Sequence, residues 1–429
     1  MARLRALVTC LAAAALALGA AAQTQSIAAI KVTGSRRFSQ AAVIRASGLH
    51  VGEAFSPATA SQAVDTLTAT GAFAHIAYLF FPVANGVEVD LRLQDSVRFA
   101  PAEFDNFVWY TAAELNSALA LALPLYTGQV PADGGGLDDA VVRQLERLLA
   151  ARGIHAQVQY VAGVGGAGRG AEVQFSIVGL TVPVTTITFP GAAPALQTAL
   201  AAAVASSLGS NFSQEVAEGW ALGPARGVYL SRGYLDAGLG PPQVTVHPGA
   251  TLSVAVALPV NAGPLFHLGG IAVTVPNGLA PGLTAAAAAQ RFAGVVPAAA
   301  RTPGTVVNTP LLAEGAAAVT GLCHRYGYFS AHVSLVPALD RQRQVATYHL
   351  TISAGPRYAM GQLVIEGWPD GVTARLRSRW TMATGQPYDG TYLRHFLVEA
   401  SAVLKGGVVF METAHPLTRT VDVTIRPGA

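Results

Sequence analysis

A glycine recurs five times in this sequence at the same kind of place, and the recurrence limits what the chain can become more than its composition does. Gly71, Gly153, Gly233, Gly327 and Gly406 each follow a helix-like run and precede a strand-like one, at separations of 82, 80, 94 and 79 residues. Four of the local contexts match: TGAFAHIAY, ARGIHAQVQY, SRGYLDAGL and RYGYFSAHV. Glycine accepts the left-handed conformation that ends a helix, so each position predicts a helix stop followed at once by a strand. An alternating strand then closes every copy: VEVDLRL (87–93), VQFSIVG (173–179), LSVAVALPV (252–260), VATYHLTI (345–352) and VDVTI (421–425). In the first of these, Val87, Val89, Leu91 and Leu93 alternate with Glu88, Asp90 and Arg92. That period of two belongs to a strand with one buried face.

The helices ahead of the caps carry apolar stripes. Val141, Leu145, Leu148 and Leu149 form one in the second copy; Leu393, Phe396, Leu397, Ala400, Val403 and Leu404 form one in the fifth. Ser56-Pro57 and Thr309-Pro310 read as an N-cap residue followed by proline at the first helical position. A further glycine lies 19 to 25 residues before each cap, at Gly52, Gly128, Gly209, Gly304 and Gly385, and three of these begin GEAF, GSNF or GQPY. A shorter helix precedes that glycine, with stripes such as Leu196, Leu200, Val204, Leu208 or Val372, Leu376, Trp380. Thr111 and Glu114 have the spacing of a capping box. A first strand opens each copy: IAAIKVTG (27–34), FDNFVWY (104–110), VTTITFPG (184–191), LGGIAVTV (268–275) and MGQLVIEG (360–367). GPLFHLGGIAV (263–273) and GPRYAMGQLVI (355–365) align without gaps, 92 residues apart.

The expected fold class is therefore α+β: tandem small βααββ domains, each a three-stranded mixed sheet covered by two helices. The last two strands form a hairpin. The first pairs in parallel with the last, because the helix pair supplies the long crossover that a parallel pair needs. The expected divisions are 23–97, 98–181, 182–262, 263–354 and 355–429, behind a leader at 1–22.

That leader, MARLRALVTCLAAAALALGAAA, has two arginines, an apolar run and Ala20-Ala21-Ala22, the layout of a secretory signal cleaved after Ala22. Without Arg3 and Arg5 the 27 Lys+Arg fall to 25, against 24 Asp+Glu, and no basic run appears. A nucleic-acid partner is not expected from such a balance. With 52% hydrophobic and 12% charged residues the chain can fill several cores and is not a disordered tail. Loss of the leader also removes Cys10, which leaves Cys323 without a disulfide partner, in an apolar helix where a buried inert thiol is expected. The uncharged stretches Val173–Gln214 and Ala237–Gln290 are broken by Pro183, Pro190, Pro194, Pro241, Pro242, Pro248 and Pro259, so they do not read as spanning helices. The 10 histidines show no metal-ligand spacing. GVGGAGRGAE (163–172) lies between two strands with no Lys-Ser/Thr after it, and reads as a hairpin tip, not a phosphate loop. No catalytic residue, metal or cofactor is expected, and the chain reads as non-enzymatic.

The order of these elements resembles the POTRA (polypeptide-transport-associated) domain. The first copy is the nearest match: the strand ending in Gly34, the GLHVGEAFS turn, the helix running into TGAF and the VEVDLRL strand sit where the family has them. The resemblance covers residues 27–427 as five tandem copies, like the array of the outer-membrane barrel-assembly (surface antigen) proteins. Only Arg426–Ala429 follow Ile425, so the barrel of those proteins is not expected here. The resemblance implies a periplasmic location and leaves peripheral contact with the outer membrane open. It implies protein partners: outer-membrane assembly or secretion components and unfolded barrel precursors, bound by β-augmentation at sheet edges. The alternative is an N-terminal fragment of a barrel-assembly protein whose β-barrel is lost or separately encoded. In the family the strand after the cap glycine is an exposed edge. The corresponding segments are AFAHIAYLFF (72–81), IHAQVQYV (154–161), YFSAHVSLV (328–336) and VVFME (408–412). Their candidate polypeptide-binding residues are Ile76, Tyr78, Phe80, Val158, Tyr160, Val333 and Leu335. On the opposing view these edges are merely tolerated, with His75, Gln157 and His332 as polar guards. Pro241 and Pro242, ahead of QVTVHP, predict a poor acceptor in the third copy.

Overall fold

The computed structural model describes residues 25–164, 170–248, 252–401, 404 and 407–428. The leader at 1–22, Val403, the cap glycine Gly406 and residues 165–169 of the glycine-rich tip lie outside them. The chain divides into two compact units, Met1–Thr181 and Val182–Ala429.

The first unit opens with β1 (Ile27–Thr33), α1 (Gln40–Ser47), α2 (Pro57–Ala69), β2 (Phe73–Val83) and β3 (Gly86–Asp95). β3 is the central strand, parallel to β1 and antiparallel to β2. Val87, Val89, Leu91 and Leu93 are buried, as their alternation required. Ser56 Oγ accepts from Thr59 N at 3.1 Å with Pro57 as the first helical residue, and Gly71, at φ +73°, ends α2. The second set is β4 (Phe99–Phe104), α3 (Ala112–Ala122), β5 (Gln129–Pro131), α4 (Gly136–Ala150), β6 (Val158–Val164) and β7 (Glu172–Ile177), with the sheet order β5-β4-β7-β6. Its first strand is not at 104–110 but ends at Phe104. Asn106 turns the chain there: its Oδ1 accepts from Ile177 N at 2.7 Å and its Nδ2 donates to Ile177 O at 3.0 Å. Phe107 and Val108 are buried in that turn, so their apolar character comes from packing and not from a strand. The capping box forms as expected, with Thr111 N to Glu114 Oε2 at 2.7 Å and Glu114 N to Thr111 Oγ1 at 3.2 Å.

The buried side chains of these two sets make one contiguous core, from Ile27 to Ile177. Phe38 bridges them, 5.4 Å from the Phe73 ring and 6.0 Å from the Phe99 ring. The Arg37 guanidinium lies 4.0 Å over Phe99 and donates to Gln129 at 2.8 Å. The end of α2 meets the start of α4: Leu137 N donates to Thr70 O at 3.2 Å, so a carbonyl left over at one helix end serves an amide left over at the other. Beside this joint Asp138 is fully buried, and neither carboxylate oxygen has a hydrogen-bond partner outside its own residue. Burial pushes its pKa up to about 7.

The second unit holds three sets. The first comprises β8 (Val184–Thr188), α5 (Pro194–Val204), α6 (Gln214–Leu222), α7 (Pro224–Leu230), β9 (Gly238–Leu239), β10 (Gln243–His247), β11 (Ser253–Ala257) and β12 (Val260–Asn261). Its second helix is split, because Pro224 cannot donate to the α-helical ladder and restarts a helix as its first residue. α5 ends before Leu208, which is 50% exposed and not part of the buried stripe. β11 is central, parallel to β8 and antiparallel to β10, while β9 and β12 form a separate short ladder. The next set is β13 (His267–Thr274), α8 (Ala285–Ala293), α9 (Ala298–Arg301), α10 (Thr309–Arg325), β14 (His332–Asp340) and β15 (Val345–Ser353). The last is β16 (Ala359–Ile365), α11 (Asp370–Arg379), α12 (Tyr392–Ala400), β17 (Val408–His415) and β18 (Thr420–Pro427). In both, the final strand is central, parallel to the first and antiparallel to the one before it. α10 is capped one residue earlier than its sequence suggested. Asn308 Oδ1 accepts from Leu311 N at 3.1 Å, and Thr309 is already helical with its hydroxyl 2.9 Å from that of Tyr348.

Two joints within this unit are built alike. Phe266 N donates to Gly233 O at 2.8 Å, and Tyr358 N donates to Gly327 O at 2.7 Å. These are the segments that align without gaps in the sequence. The first joint also has a two-pronged ion pair, Arg341 to Asp236, with both contacts at 2.9 Å.

Cys323 is buried in α10, and desolvation pushes its thiol up to about 11. Little thiolate forms at neutral pH, and the thiolate is the reactive species. Alkylation of Cys323 at pH 8, read by peptide mapping, is expected to be about a hundredfold or more slower in the folded chain than in urea. Equal rates would contradict this placement.

Candidate polypeptide-binding edges

The strand that precedes the central strand lies at a sheet edge in every set: β2, β6, β10, β14 and β17; in the third set the short β9 comes between it and the cap glycine. The opposite edge is partly closed by the turn that follows the upstream glycine. Gly52, Gly209, Gly304 and Gly385 donate to Ile27 O, Val184 O, Leu268 O and Met360 O at 2.7–2.8 Å. In the second set β5 pairs with the first half of β4, Phe99 to Pro101, and Ala102 N donates to Gly128 O at 3.1 Å. The GEAF-type motif therefore blunts one edge and leaves the other.

β2 pairs with β3 through a two-residue turn, Ala84-Asn85, which places Val83 opposite Gly86 and fixes the facing of the residues back to His75, where the register shifts. Ile76, Tyr78 and Phe80 stand opposite Leu93, Leu91 and Val89, so they face the helices and not the open side of the sheet. Tyr78 Oη reaches Pro57 O at 3.4 Å, and the Phe80 ring lies 5.1 Å from that of Phe55. Val158 and Tyr160 oppose Ile177 and Phe175; Val333 and Leu335 oppose Ile352 and Leu350. Val158 and Val333 are buried core residues. Tyr160 is half-buried: desolvation raises its pKa, and its hydroxyl meets Asp139 and the Gly135 backbone.

The structure thus places all seven candidate residues on edge strands but on the inner face of each. The other face of these strands carries Leu79, Phe81 and Val83 of β2, Val161 of β6, Val336 of β14, and Val409 and Met411 of β17, none of them among the seven. Each of these is at least 40% exposed on the other face. Counting parity back from the Ala84-Asn85 turn would have found the first three. On β17, Phe410 and Glu412 face inward, and Glu412 accepts from the Tyr388 hydroxyl. Burial first, and then the Glu412 carboxylate, raises the Tyr388 pKa. His75 and His332 lie exposed on β2 and β14; Gln157 precedes β6 by one residue.

These edges differ in length and in charge. β2 has 11 residues, β14 9, β17 8, β6 7 and β10 5. Gly240-Pro241-Pro242 separates β9 from β10, so the prolines act by cutting the third edge short. Proline also lies inside two longer edges, as Pro82 and Pro337, in each case toward the hairpin end. No Asp, Glu, Lys or Arg occurs in β2, β6 or β10; β14 has Asp340 as its last residue, and β17 has the inward Glu412. Lysines and other charges are the usual protection of an exposed edge. Among the described residues no group of three or more His, Cys, Asp or Glu could hold a metal, and no helix is long and apolar enough to cross a membrane.

The repeated sheets, with the first strand parallel to the last and the middle strand outermost, define a tandem array of POTRA-like α+β domains. No family and no curated protein matches the sequence. Among solved structures the chain is similar to POTRA domains 3–5 of BamA from Haemophilus influenzae, at 19% identity and a TM-score of 0.47 over 58% of this chain and 97% of that one. It is similar to POTRA domains 1–3 of the periplasmic domain of Omp85 from Anabaena, at 14% identity and a TM-score of 0.26 over 58% and 95%. CdiB from Escherichia coli is similar at 18% identity and a TM-score of 0.21, over 39% of this chain and 28% of that one.

Proposed function

We propose that this protein is a non-enzymatic periplasmic polypeptide-binding scaffold in outer-membrane protein assembly or secretion. It takes extended segments of partners or barrel precursors as added strands on β2, β6, β14 and β17. The observation that carries this reading is the near absence of charge on strands whose outer N–H and C=O groups have no strand partner among the described residues. Backbone pairing gives affinity with little demand on sequence, which suits varied clients. Each added hydrogen bond nets about 1 kcal/mol, so one edge binds weakly, and several edges on one chain gain through effective concentration. β10, at five residues, is a poor acceptor. The periplasmic setting rests on the leader and on the resemblance of the repeats to POTRA arrays.

Photocrosslinkers at Ala77, Gln159, Ser334 and Thr413 on the edges, compared with Gln62 and Glu314 on exposed helix faces, test this with an unfolded barrel precursor. Crosslinking concentrated at the edge positions is expected. Equal yields at the helix positions would refute edge binding.

A further inference from the structure

A cavity of about 170 Å³ beside the β17 edge is bounded by groups of opposite charge that do not meet. His324 and Phe329 of one set line it, with Gly390, Arg394, Phe410 and Glu412 of the next. Its walls are fixed. Gly390 N donates to His324 O at 3.3 Å, and His324 Nε2 lies 3.4 Å from Ala331 O. The Phe329 ring packs edge-on, 5.7 Å from the Tyr388 ring and 6.1 Å from that of Tyr358. The Tyr388 hydroxyl donates to Glu412 Oε1, which ties the carboxylate to its place. Glu412 Oε2 has no partner among the described residues, and the Arg394 guanidinium makes neither a hydrogen bond nor an ion pair with any of them.

Such a cavity suits one side chain. Small-molecule sites usually offer roughly 300–1,000 Å³, well above this volume. Phe410 and Glu412 face the helices from a strand whose outer side is unpaired among the described residues. A strand added to β17 alternates in the same way. Its residue opposite Glu412 has a Cβ about 5 Å from that of Glu412, and so faces the cavity.

Chemistry narrows that side chain. An aliphatic one shuts the free Glu412 oxygen and the Arg394 guanidinium off from water without partners. A carboxylate suits Arg394 but meets Glu412; an ammonium suits Glu412 but meets Arg394. A carboxamide satisfies both, because its amide N–H donates to Glu412 Oε2 while its oxygen accepts from Arg394. Glutamine has the same length as Glu412, so the two ends lie level across the strand pair. We infer that β17 selects extended segments that place a glutamine opposite Glu412. This rests on the edge-binding function proposed above: backbone pairing supplies the affinity, and the cavity supplies the sequence preference.

Dye-labelled strand peptides that differ only at one central position, as Gln, Leu, Glu or Lys, test the inference. The affinity of each for the full chain is read by anisotropy, and the edge it occupies by amide shifts. The Gln peptide is expected to bind β17 about tenfold tighter than any of the other three. Glu412→Gln keeps an oxygen for Tyr388 but turns the free acceptor into a donor, so the preference should pass to the Glu peptide. Arg394→Leu, at an exposed helix position, should pass it to the Lys peptide, which covers a misfolded Glu412→Gln chain. Equal binding of the four peptides at β17, or a preference that neither variant moves, overturns the inference and leaves edge binding standing. Shifts at other edges with none on β17 do the same. No shift at any edge overturns edge binding itself, and the inference with it.

Discussion

Gly136→Val is expected to lower the unfolding midpoint of the first unit by about 10 °C, a loss of about 3 kcal/mol. A Cβ at position 136 would sit 2.5 Å from Ala69 O and 3.2 Å from Ala69 C, both backbone atoms at the end of α2. No rotamer change relieves a backbone contact. The helix ends must part, and the Leu137 N to Thr70 O bond goes with them. Because one core serves both sheets, the variant should still melt in one transition when followed by circular dichroism and by amide exchange in β3 and β7. Gly219→Ala, where nothing lies within 4 Å, is the control and is expected to be neutral or slightly stabilising. An unchanged midpoint for Gly136→Val would show that the two helix ends do not meet.

Asp138→Asn is expected to stabilise the same unit above neutral pH and to flatten its response to acid. In the folded chain the Asp138 pKa is raised to about 7 by burial, from an ordinary value of 3.8. The titratable neighbours that face it are Asp139 on its own helix and the Tyr160 hydroxyl of β6 in the same set, and neither brings a positive charge. A raised folded pKa means that the folded state holds the proton more tightly. The stabilisation is fully present below about pH 4 and is lost as pH rises through 7. The folding equilibrium should weaken on the order of tenfold to a hundredfold between pH 4.5 and 7.5 from this group alone. Urea titrations at the two pH values measure it. A wild-type curve no steeper in pH than that of Asp138→Asn would remove the buried carboxylate from the account.

Local signals carried most of the fold. Ser56-Pro57, the Thr111–Glu114 box and the cap glycines act within a few residues of themselves, so the sequence shows them directly. The errors came where a distant partner decides. FDNFVWY has the aromatic content of a strand, but Asn106 spends its side chain on Ile177, seventy-one residues away, and the chain turns. Thr309 looked like a cap, but the hydroxyl of Tyr348 holds it. The edge strands were legible as edges. Their inner and outer faces were not, because facing depends on the hairpin register and not on residue type. Gly136 and Asp138 look like an ordinary loop end and an ordinary first-turn acid; the end of α2 leaves no room for a Cβ at the first, and burial leaves the second without a partner.

Phe266 and Tyr358 hang from the Gly233 and Gly327 carbonyls in the same way, and each follows a Gly-Pro pair, at Gly263 and Gly355. A genetic crossover between those two codons would excise or insert one whole repeat and place an equivalent Gly-Pro pair at the seam. The main-chain hydrogen bond of the joint would carry over, while the Arg341–Asp236 ion pair leaves with an excised repeat.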